Sequence, residues 1–266
     1  MKFYKFSIVT LFLAVTLLIF KDVSADSWGK YQAGDRRSGY TYATLETRAI
    51  QDDDFANPAF LWFEVGEAQW NKVQGSKGKS CASCHGEAEL SMAHVGSSYP
   101  KFDLEKQKPI NVELRINKCR TEHMGAKPFK YESKNMLGTT IYVKAQARGS
   151  VINTDFSGAM LPWFEKGKTF YYQRRGQLDM SCANCHEENA GNMIRANRLS
   201  EGQVNGFPTF RLKWQKPGSL HRRFRGCNKQ VRSKPYKYGS DEYLALETYV
   251  MYRARNLPVE TPAVRN

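Results

Sequence analysis

Two CxxCH motifs, at residues 81–85 and 182–186, are the clearest candidates for chemistry in this sequence. In such a motif each thiol can add across a haem vinyl group, and the adjacent histidine can reach the iron. A redox-active CxxC pair or half of a zinc site has similar spacing, but neither explains a histidine after both pairs. We therefore predict two covalently bound haem c groups, held by the motif residues Cys81, Cys84, His85, Cys182, Cys185 and His186.

The N-terminal segment predicts export. Lys2 and Lys5 precede an apolar run over residues 6–20, and the small residues Val23-Ser24-Ala25 form a cleavage site. We therefore expect a signal peptide over residues 1–25. A retained membrane anchor is the alternative, because the apolar run is nearly as long as the shortest membrane spans. No later stretch is long enough, so we expect no stable membrane insertion by the processed chain.

The chain is strongly basic, with a formal net charge of +14. Such a charge favours anionic partners. Export argues against nucleic acid, so an acidic protein surface or a small oxyanion is the preferred partner. A plain role in solubility is the alternative.

Sequence around the two motifs is duplicated. Gly66 and Gly167 stand at the same distance before the first cysteine of each motif, and a Lys-Pro pair precedes a lone cysteine, Cys119 or Cys227, at the same distance in each half. Residues 140–148 also match residues 247–255. We therefore place two domains at residues 50–150 and 151–258, with an N-terminal extension over 26–49 and a tail over 259–266.

Each copy has the same predicted order of parts: a helix, the CxxCH turn, a long irregular stretch, a cysteine-bearing loop and a closing helix. Apolar residues at helical spacing in the last copy, such as Tyr243, Leu246 and Val250, give the closing helix a face to bury. This order predicts a mainly α fold of two tandem cytochrome c domains with long loops. Haem itself would supply much of each small core.

The second axial ligand of each iron should occupy matching positions in the two copies. Cys119 and Cys227 meet this condition. The remaining methionines and histidines do not: Met92, Met124, Met136, Met160, Met180, Met193, Met251, His94, His123 and His221. The two cysteines could instead form a disulfide between the domains or be inert buried thiols. Ligation of each haem by its own cysteine accounts for the repeat and uses all the cysteines, so we prefer it.

Charge distinguishes the two lone cysteines. Residues 221–232 surround Cys227 with arginines, a lysine and a histidine, whereas the charges near Cys119 are sparser and mixed. Cations lower a thiol pKa and can hold an oxyanion. The alternative is a solvated basic loop that contacts haem propionates. The sequence thus predicts that Cys119 is a ligand only and that chemistry occurs near Cys227.

The paired motifs, each followed by a lone cysteine, and especially residues 223–232 with Gly226-Cys227-Asn228 at their centre, resemble the SoxA family. SoxA proteins are dihaem subunits of the SoxAX cytochrome complex of bacterial thiosulfate oxidation. The resemblance implies L-cysteine S-thiosulfotransferase activity in the periplasm and a heterodimer with the monohaem cytochrome SoxX. It further implies thiosulfate as substrate, the carrier protein SoxYZ as its recipient and a c-type cytochrome as electron acceptor.

The resemblance also assigns roles to particular residues. It implies that His85 and Cys119 ligate the first haem iron and that His186 and Cys227 ligate the second. Cys227 would also be the catalytic residue, found in the family as a persulfide, and Arg223 would bind substrate. Some family members lack the first haem motif, which leaves the part of that haem in turnover open.

Three other functions fit parts of the sequence. A dihaem thiosulfate dehydrogenase would join two thiosulfates into tetrathionate without a carrier protein. A non-catalytic dihaem electron carrier would use methionine as the second ligand, and a dihaem peroxidase needs an iron with an open position. The basic charge favours docking to an acidic carrier or partner.

Overall fold

The computed structural model describes residues 28–266, so the predicted signal peptide lies outside the described residues. The helices of the described part are α1 (Leu45–Asp52), α2 (Phe60–Asn71), α3 (Ala82–His85), α4 (Ala88–Ser91), α5 (Val95–Ser98), α6 (Val112–Lys118), α7 (Lys134–Ala145), α8 (Leu161–Tyr172), α9 (Cys182–His186), α10 (Leu220–Gln230) and α11 (Asp241–Arg253). A π-helical turn over Cys119–His123 continues α6. In residues 28–266 we find no helix with the length and apolar character that crossing a bilayer requires.

The strands are short and pair locally. They are β1 (Gln32–Ala33), β2 (Arg36–Arg37), β3 (Lys101–Asp103), β4 (Lys108–Ile110), β5 (Met193–Ile194), β6 (Asn197–Arg198), β7 (Thr209–Arg211), β8 (Lys216–Gly218) and β9 (Ala263–Arg265). Strands β1 and β2, β3 and β4, and β5 and β6 form antiparallel pairs, and β7 lies between β8 and β9.

The second half of the chain repeats the element order of the first. Helices α2 and α8 precede the two CxxCH helices α3 and α9, the hairpins β3–β4 and β7–β8 follow, and the cysteine helices and closing helices α7 and α11 complete each copy. Helix α2 packs on α7, and α8 packs on α11. These matching sets confirm the predicted mainly α fold and its internal duplication.

The two repeated glycines explain how closely these helix pairs pack. A Cβ atom on Gly66 would lie 2.2 Å from the carbonyl oxygen of Gly138 on α7. A Cβ atom on Gly167 would lie 1.9 Å from the carbonyl oxygen of Ala245 on α11. Because no side chain fits at these distances, the glycines let the paired backbones touch, and this contact sets the position of each closing helix.

The lone cysteines lie on helices, so the predicted cysteine-bearing loops are wrong. Asn111 caps α6 by accepting a hydrogen bond from the Leu114 amide, and Ser219 caps α10 by accepting one from the Arg222 amide. Each cap satisfies an amide that the helix leaves unpaired. In α10, Leu220 and Phe224 are buried one turn apart, so tertiary packing stabilises a helix despite Gly226 and the many charges.

The two ends of the described chain pack on the second domain. Ser38 hydrogen bonds with Glu260, and Arg37 forms an ion pair with Glu201 at 3.3 Å. Residues 263–265, predicted as part of a tail, instead form β9, which runs parallel to β7 with Val264 fully buried. Apolar burial of this segment explains the difference, and it makes the second domain's sheet one strand wider than the hairpin of the first.

Candidate functional site

One cavity of about 240 Å³ brings together the second CxxCH motif and the second lone cysteine. Cys182, Cys185 and His186 enter it from α9, and Arg223 and Cys227 enter it from α10. Within each helix these residues lie about one turn apart. The two helices are far apart in sequence, and the fold makes each of them one side of the cavity.

Local contacts fix the positions of α9 and α10, the two helices that carry these residues. Ser181 and Asn184 form a capping box at the start of α9, which orients the motif cysteines. On α10, Arg223 and Cys227 are four residues apart and therefore share a face. Phe224 and Leu220 bury the neighbouring face against Tyr243 and Leu246 of α11.

Helical periodicity distributes the basic residues around Cys227 differently from the prediction. Only Arg223 of the cations in residues 221–232 lines the cavity. Arg222 lies 3.5 Å from Glu132, Arg225 donates to the Tyr236 carbonyl oxygen, and the His221 ring lies 2.9 Å from Glu247. The sequence cluster therefore contributes one cation to the site, while Arg222, Arg225 and His221 contact other parts of the protein and Lys229 and Arg232 are exposed.

The predicted axial ligand His186 is fixed by a segment that the sequence did not reveal. Its Nδ1 atom lies 2.8 Å from the carbonyl oxygen of Ser200. Gly202, with φ +73°, packs against the ring so closely that a Cβ atom there would lie 2.8 Å from His186 Cγ. A hydrogen bond on one ring nitrogen orients the ring and leaves the other available as a ligand.

The thiol of Cys227 lies in a positive field. Burial raises its pKa, but the charges of Arg223, His186 and Arg211 more than compensate and bring the pKa down to about 7. Arg211 lies at the end of β7, and no sequence pattern pointed to it. The field at Cys227 thus has one predicted source, Arg223, and one unpredicted source, Arg211.

The first CxxCH motif lies in a different environment. Cys119 starts the π-helical turn after α6, and burial raises its pKa although Arg115 lowers it. Cys84 and His85 are exposed, and Trp70 donates to the Gly86 carbonyl oxygen at 3.0 Å. Lys118 also acts on Cys119, but it pairs with Asp103 at 2.9 Å, and the cations here do not offset burial as they do at Cys227.

A family model for the SoxA/TsdA cytochrome c domain matches residues 65–152 and again residues 166–259. The chain belongs to the SoxA/TsdA cytochrome c family. The double match confirms tandem cytochrome c domains, and membership of this family identifies the chain as a haem c protein.

Curated relatives show which members of the SoxA/TsdA family this chain resembles. The chain is 50% identical over 229 residues to the L-cysteine S-thiosulfotransferase subunit SoxA of Pseudaminobacter salicylatoxidans, covering 86% of this chain and 80% of that protein. It is 44% identical over 229 residues to the protein of the same name from Paracoccus pantotrophus, covering 86% and 79%. The predicted resemblance to SoxA is therefore confirmed.

A solved structure agrees with these relatives. The crystal structure of SoxXA from P. pantotrophus contains a chain that superposes with a TM-score of 0.84 at 44% identity, covering 87% of each chain. At this identity the likeness extends to the arrangement of the SoxA domains, beyond general helical architecture.

The residues around the cavity suit a SoxA/TsdA-type haem. The thiols of Cys182 and Cys185 on α9 and the sulfur of Cys227 on α10 line the same cavity. Apolar side chains fill much of the remaining lining, as a porphyrin face requires: Phe170, Val204, Phe207, Leu220, Phe224, Leu246 and Val250. In the first domain a smaller apolar cluster joins Cys81 to Trp70, Val112 and Tyr142.

Within residues 28–266 no disulfide joins any of the six cysteines. The charge of Cys119 acts on Cys81, and the charge of Cys227 acts on Cys182 and Cys185, so each lone cysteine faces the CxxCH motif of its own domain. This arrangement opposes the alternative of a disulfide between Cys119 and Cys227.

Proposed function

We propose that this chain is the dihaem subunit of a periplasmic L-cysteine S-thiosulfotransferase and that its chemistry occurs at Cys227. The observation that carries the proposal is the convergence of Cys227, His186 and Arg223 on one half-buried cavity. The names of the relatives support the reaction class. The apparent export signal over residues 1–25 supports the location.

The reaction joins thiosulfate to a cysteine thiol of a carrier protein. A bond forms between the sulfane sulfur of thiosulfate and the thiol sulfur, one proton leaves the thiol, and two electrons leave for a c-type cytochrome. The product is a protein S-thiosulfonate. No sulfur–sulfur bond of thiosulfate breaks in this step, so the site must bind the dianion, orient its sulfane sulfur and accept two electrons.

Two haem c groups fit this requirement. We propose that Cys182 and Cys185 would hold one covalently and His186 and Cys227 would ligate its iron, and that Cys81 and Cys84 would hold the other, with His85 and Cys119 as the iron ligands. When bound, these groups supply one-electron acceptors beside the reacting sulfur atoms. Residues 151–258 would form the domain of the active haem, and residues 50–150 the domain of the auxiliary one.

The side chains of the cavity then have distinct tasks. The Arg223 guanidinium binds the sulfonate oxygens, since charge-assisted hydrogen bonds are strongest between such partners. Cys227 presents a sulfur atom that can carry the family's persulfide. Phe224 and Leu220 exclude water from the apolar wall, and the Ser200 carbonyl oxygen keeps the His186 ring in one orientation.

A partner completes the enzyme in this proposal. We infer a heterodimer with a monohaem cytochrome of the SoxX type, supported by the likeness to a chain of the SoxXA crystal structure. The carrier would be a SoxYZ-type protein with a reactive cysteine. The net charge of +14 suits docking to acidic protein surfaces.

The test is a product assay with the purified complex. Thiosulfate, carrier and oxidised c-type cytochrome are supplied together, and then the carrier is omitted. We expect cytochrome reduction to require the carrier, and mass spectrometry to find the thiosulfonate on its cysteine. Reduction without the carrier, with tetrathionate as the product, would instead show a thiosulfate dehydrogenase.

Arg223 has a matched control in the adjacent residue. Arg223→Gln should raise the KM for thiosulfate about tenfold or more, because a charge-assisted contact is lost. Arg222→Gln removes the same charge from the same helix, but Arg222 pairs with Glu132 outside the cavity. An equal effect of both substitutions would indicate general electrostatics and contradict the role of Arg223.

A further inference from the structure

Arg211 is a second cation of the Cys227 cavity, contributed by a different element from Arg223. It is the last residue of β7 and lines the cavity together with Arg223, His186 and Cys227. Its Nε atom donates to the main-chain oxygen of Asn266 at 2.6 Å, and its guanidinium lies 5.0 Å from the centre of the Trp214 ring. The guanidinium is therefore held by a hydrogen bond at Nε and by the Trp214 ring at its face.

The cation has no acidic side chain to neutralise it. In residues 28–266 no Asp or Glu side chain forms an ion pair with Arg211 or Arg223. Of the other arginines of the cavity, Arg265 pairs with Glu260, Arg175 donates to the hydroxyls of Tyr236 and Ser233, and Arg198 donates to the Gly191 carbonyl oxygen. Two half-buried guanidinium groups that face one cavity and pair with no Asp or Glu side chain are suited to an anion.

The internal repeat shows that this cation is specific to the second domain. In the hairpin β3–β4, Asp103 pairs in register with Lys108, and in β7–β8, Arg211 pairs in register with Lys216. The strand position thus carries a carboxylate in one copy and a guanidinium in the other. Asp103 is buried and lies 2.9 Å from Lys118.

The position of Arg223, in contrast, is the same in both domains. Arg115 stands four residues before Cys119, as Arg223 stands four residues before Cys227. An arginine one turn before the cysteine therefore does not distinguish the two sites. The replacement of Asp103 by Arg211 at the equivalent strand position does.

The charges of the three groups act on one another. Burial lowers the pKa of Arg211 to about 10, the like charge of Arg223 lowers it further, and Cys227 opposes both. The two guanidinium groups line one cavity and repel each other, and an anion bound to both would relieve that repulsion.

We propose that Arg211 is a second substrate-binding residue, which holds the sulfonate end of a thiosulfate-like dianion jointly with Arg223. This inference rests on the proposed function of the Cys227 site. Guanidinium groups prefer oxygen to sulfur as acceptor, so two of them fix the sulfonate oxygens and leave the sulfane sulfur facing Cys227. Arg211 thereby sets the orientation of the substrate as well as its affinity.

The test compares Arg211→Gln and Arg211→Lys with the wild-type holo-complex, and Lys216→Gln serves as the matched control. Lys216 is exposed and lies directly across the hairpin from Arg211, so its loss changes the net charge equally. We expect Arg211→Gln to raise the KM for thiosulfate about ten- to hundredfold, as loss of a charge-assisted contact does. Arg211→Lys should recover part of this loss, and Lys216→Gln should change KM less than about twofold.

Two further readouts separate the possible outcomes. Calorimetric titration with thiosulfate measures binding without turnover, and redox titration measures the haem midpoint potentials. An unchanged KM and Kd in Arg211→Gln would overturn the proposal, as would a shifted haem potential with unchanged KM and Kd, which would assign Arg211 to the haem carboxylates.

Failure of the proposed function has a different signature. Wild-type protein that binds thiosulfate through Arg211 but transfers none to a carrier would contradict the activity and retain the anion site. Wild-type protein that neither binds nor turns over thiosulfate would contradict both. Haem content and thermal unfolding of each variant identify any folding defect, and Arg211→Lys provides the conservative test if Arg211→Gln unfolds.

Discussion

The Nδ1 atom of His186 lies 2.8 Å from the carbonyl oxygen of Ser200, a residue in the stretch that separates the CxxCH helix from β7. This hydrogen bond leaves Nε2 as the ring nitrogen available to a metal. It also makes the position of the predicted ligand depend on a segment outside the motif. Gly202, two residues later, completes the support by packing on the ring.

Gly202→Ala should disturb His186 specifically. The new methyl group would lie 2.8 Å from His186 Cγ, at a residue whose φ of +73° already disfavours a side chain. Gly191→Ala is the matched control, because Gly191 has φ +89° and no atom within 4 Å of its Cβ position. Both variants should lose about 1 kcal/mol or more of stability from the backbone alone.

Only Gly202→Ala should also alter the electron paramagnetic resonance signal of the haem in the second domain, or reduce its occupancy. Identical haem spectra in the two variants would show that the contact with the His186 ring has no consequence for ligation.

A buried group of titratable residues between the domains should make stability depend on pH. Burial and the neighbouring Glu247 raise the pKa of Glu113 to about 7, although Lys144 and His221 oppose this. The folded state therefore holds a proton on Glu113 that the unfolded state, with an ordinary carboxyl pKa, releases at lower pH. The resulting stabilisation is complete below about pH 4.5 and is lost as the pH rises to about 7.

Glu113→Gln should remove this dependence. Between about pH 4.5 and 7 the wild-type free energy of unfolding should fall by on the order of 1 to 3 kcal/mol more than that of the variant. Urea unfolding of the holoprotein at several pH values measures the difference. Glu122→Gln, an exposed position near the same helix, is the control and should keep the wild-type slope. A wild-type slope in Glu113→Gln would contradict the assignment.

The thiol chemistry should be visible in the mass of the intact protein. We expect two covalently attached haems, no disulfide, and a fraction heavier by one sulfur atom, because Cys227 is proposed to carry a persulfide. Peptide mapping should locate the extra sulfur on Cys227, with Cys119 as the internal reference. A crosslink between Cys119 and Cys227 in active protein would refute the ligand scheme.

Much of the architecture followed from the sequence because it depends on local pattern and repetition. The CxxCH motifs, the repeated Gly66 and Gly167, and the apolar spacing of α11 predicted the order of elements in each domain. The sequence shows the two glycines as a repeat, but their role depends on the distance between two helices remote in sequence, which only the structure gives.

The sequence did not predict that the lone cysteines lie on helices, or that Arg211 joins Arg223 at the Cys227 cavity. Residues 221–230 have Gly226 and many charges, so local propensity favoured a loop, whereas burial of Leu220 and Phe224 stabilises a helix. Arg211 reaches the site through the pairing of β7 with β9, and Gly202 through a contact with His186. Such contacts between distant segments leave no periodic signal in the sequence.

The most direct test of the central claim compares Cys227→Ser with Cys119→Ser in the purified complex. The measurement is the rate of thiosulfate-dependent reduction of a c-type cytochrome in the presence of carrier, with haem content determined for each variant. We predict that Cys227→Ser lowers the rate about a hundredfold or more while both haems remain attached, as loss of a residue essential to the chemical step does in other enzymes, and that Cys119→Ser keeps measurable turnover. Normal turnover by Cys227→Ser would contradict the account.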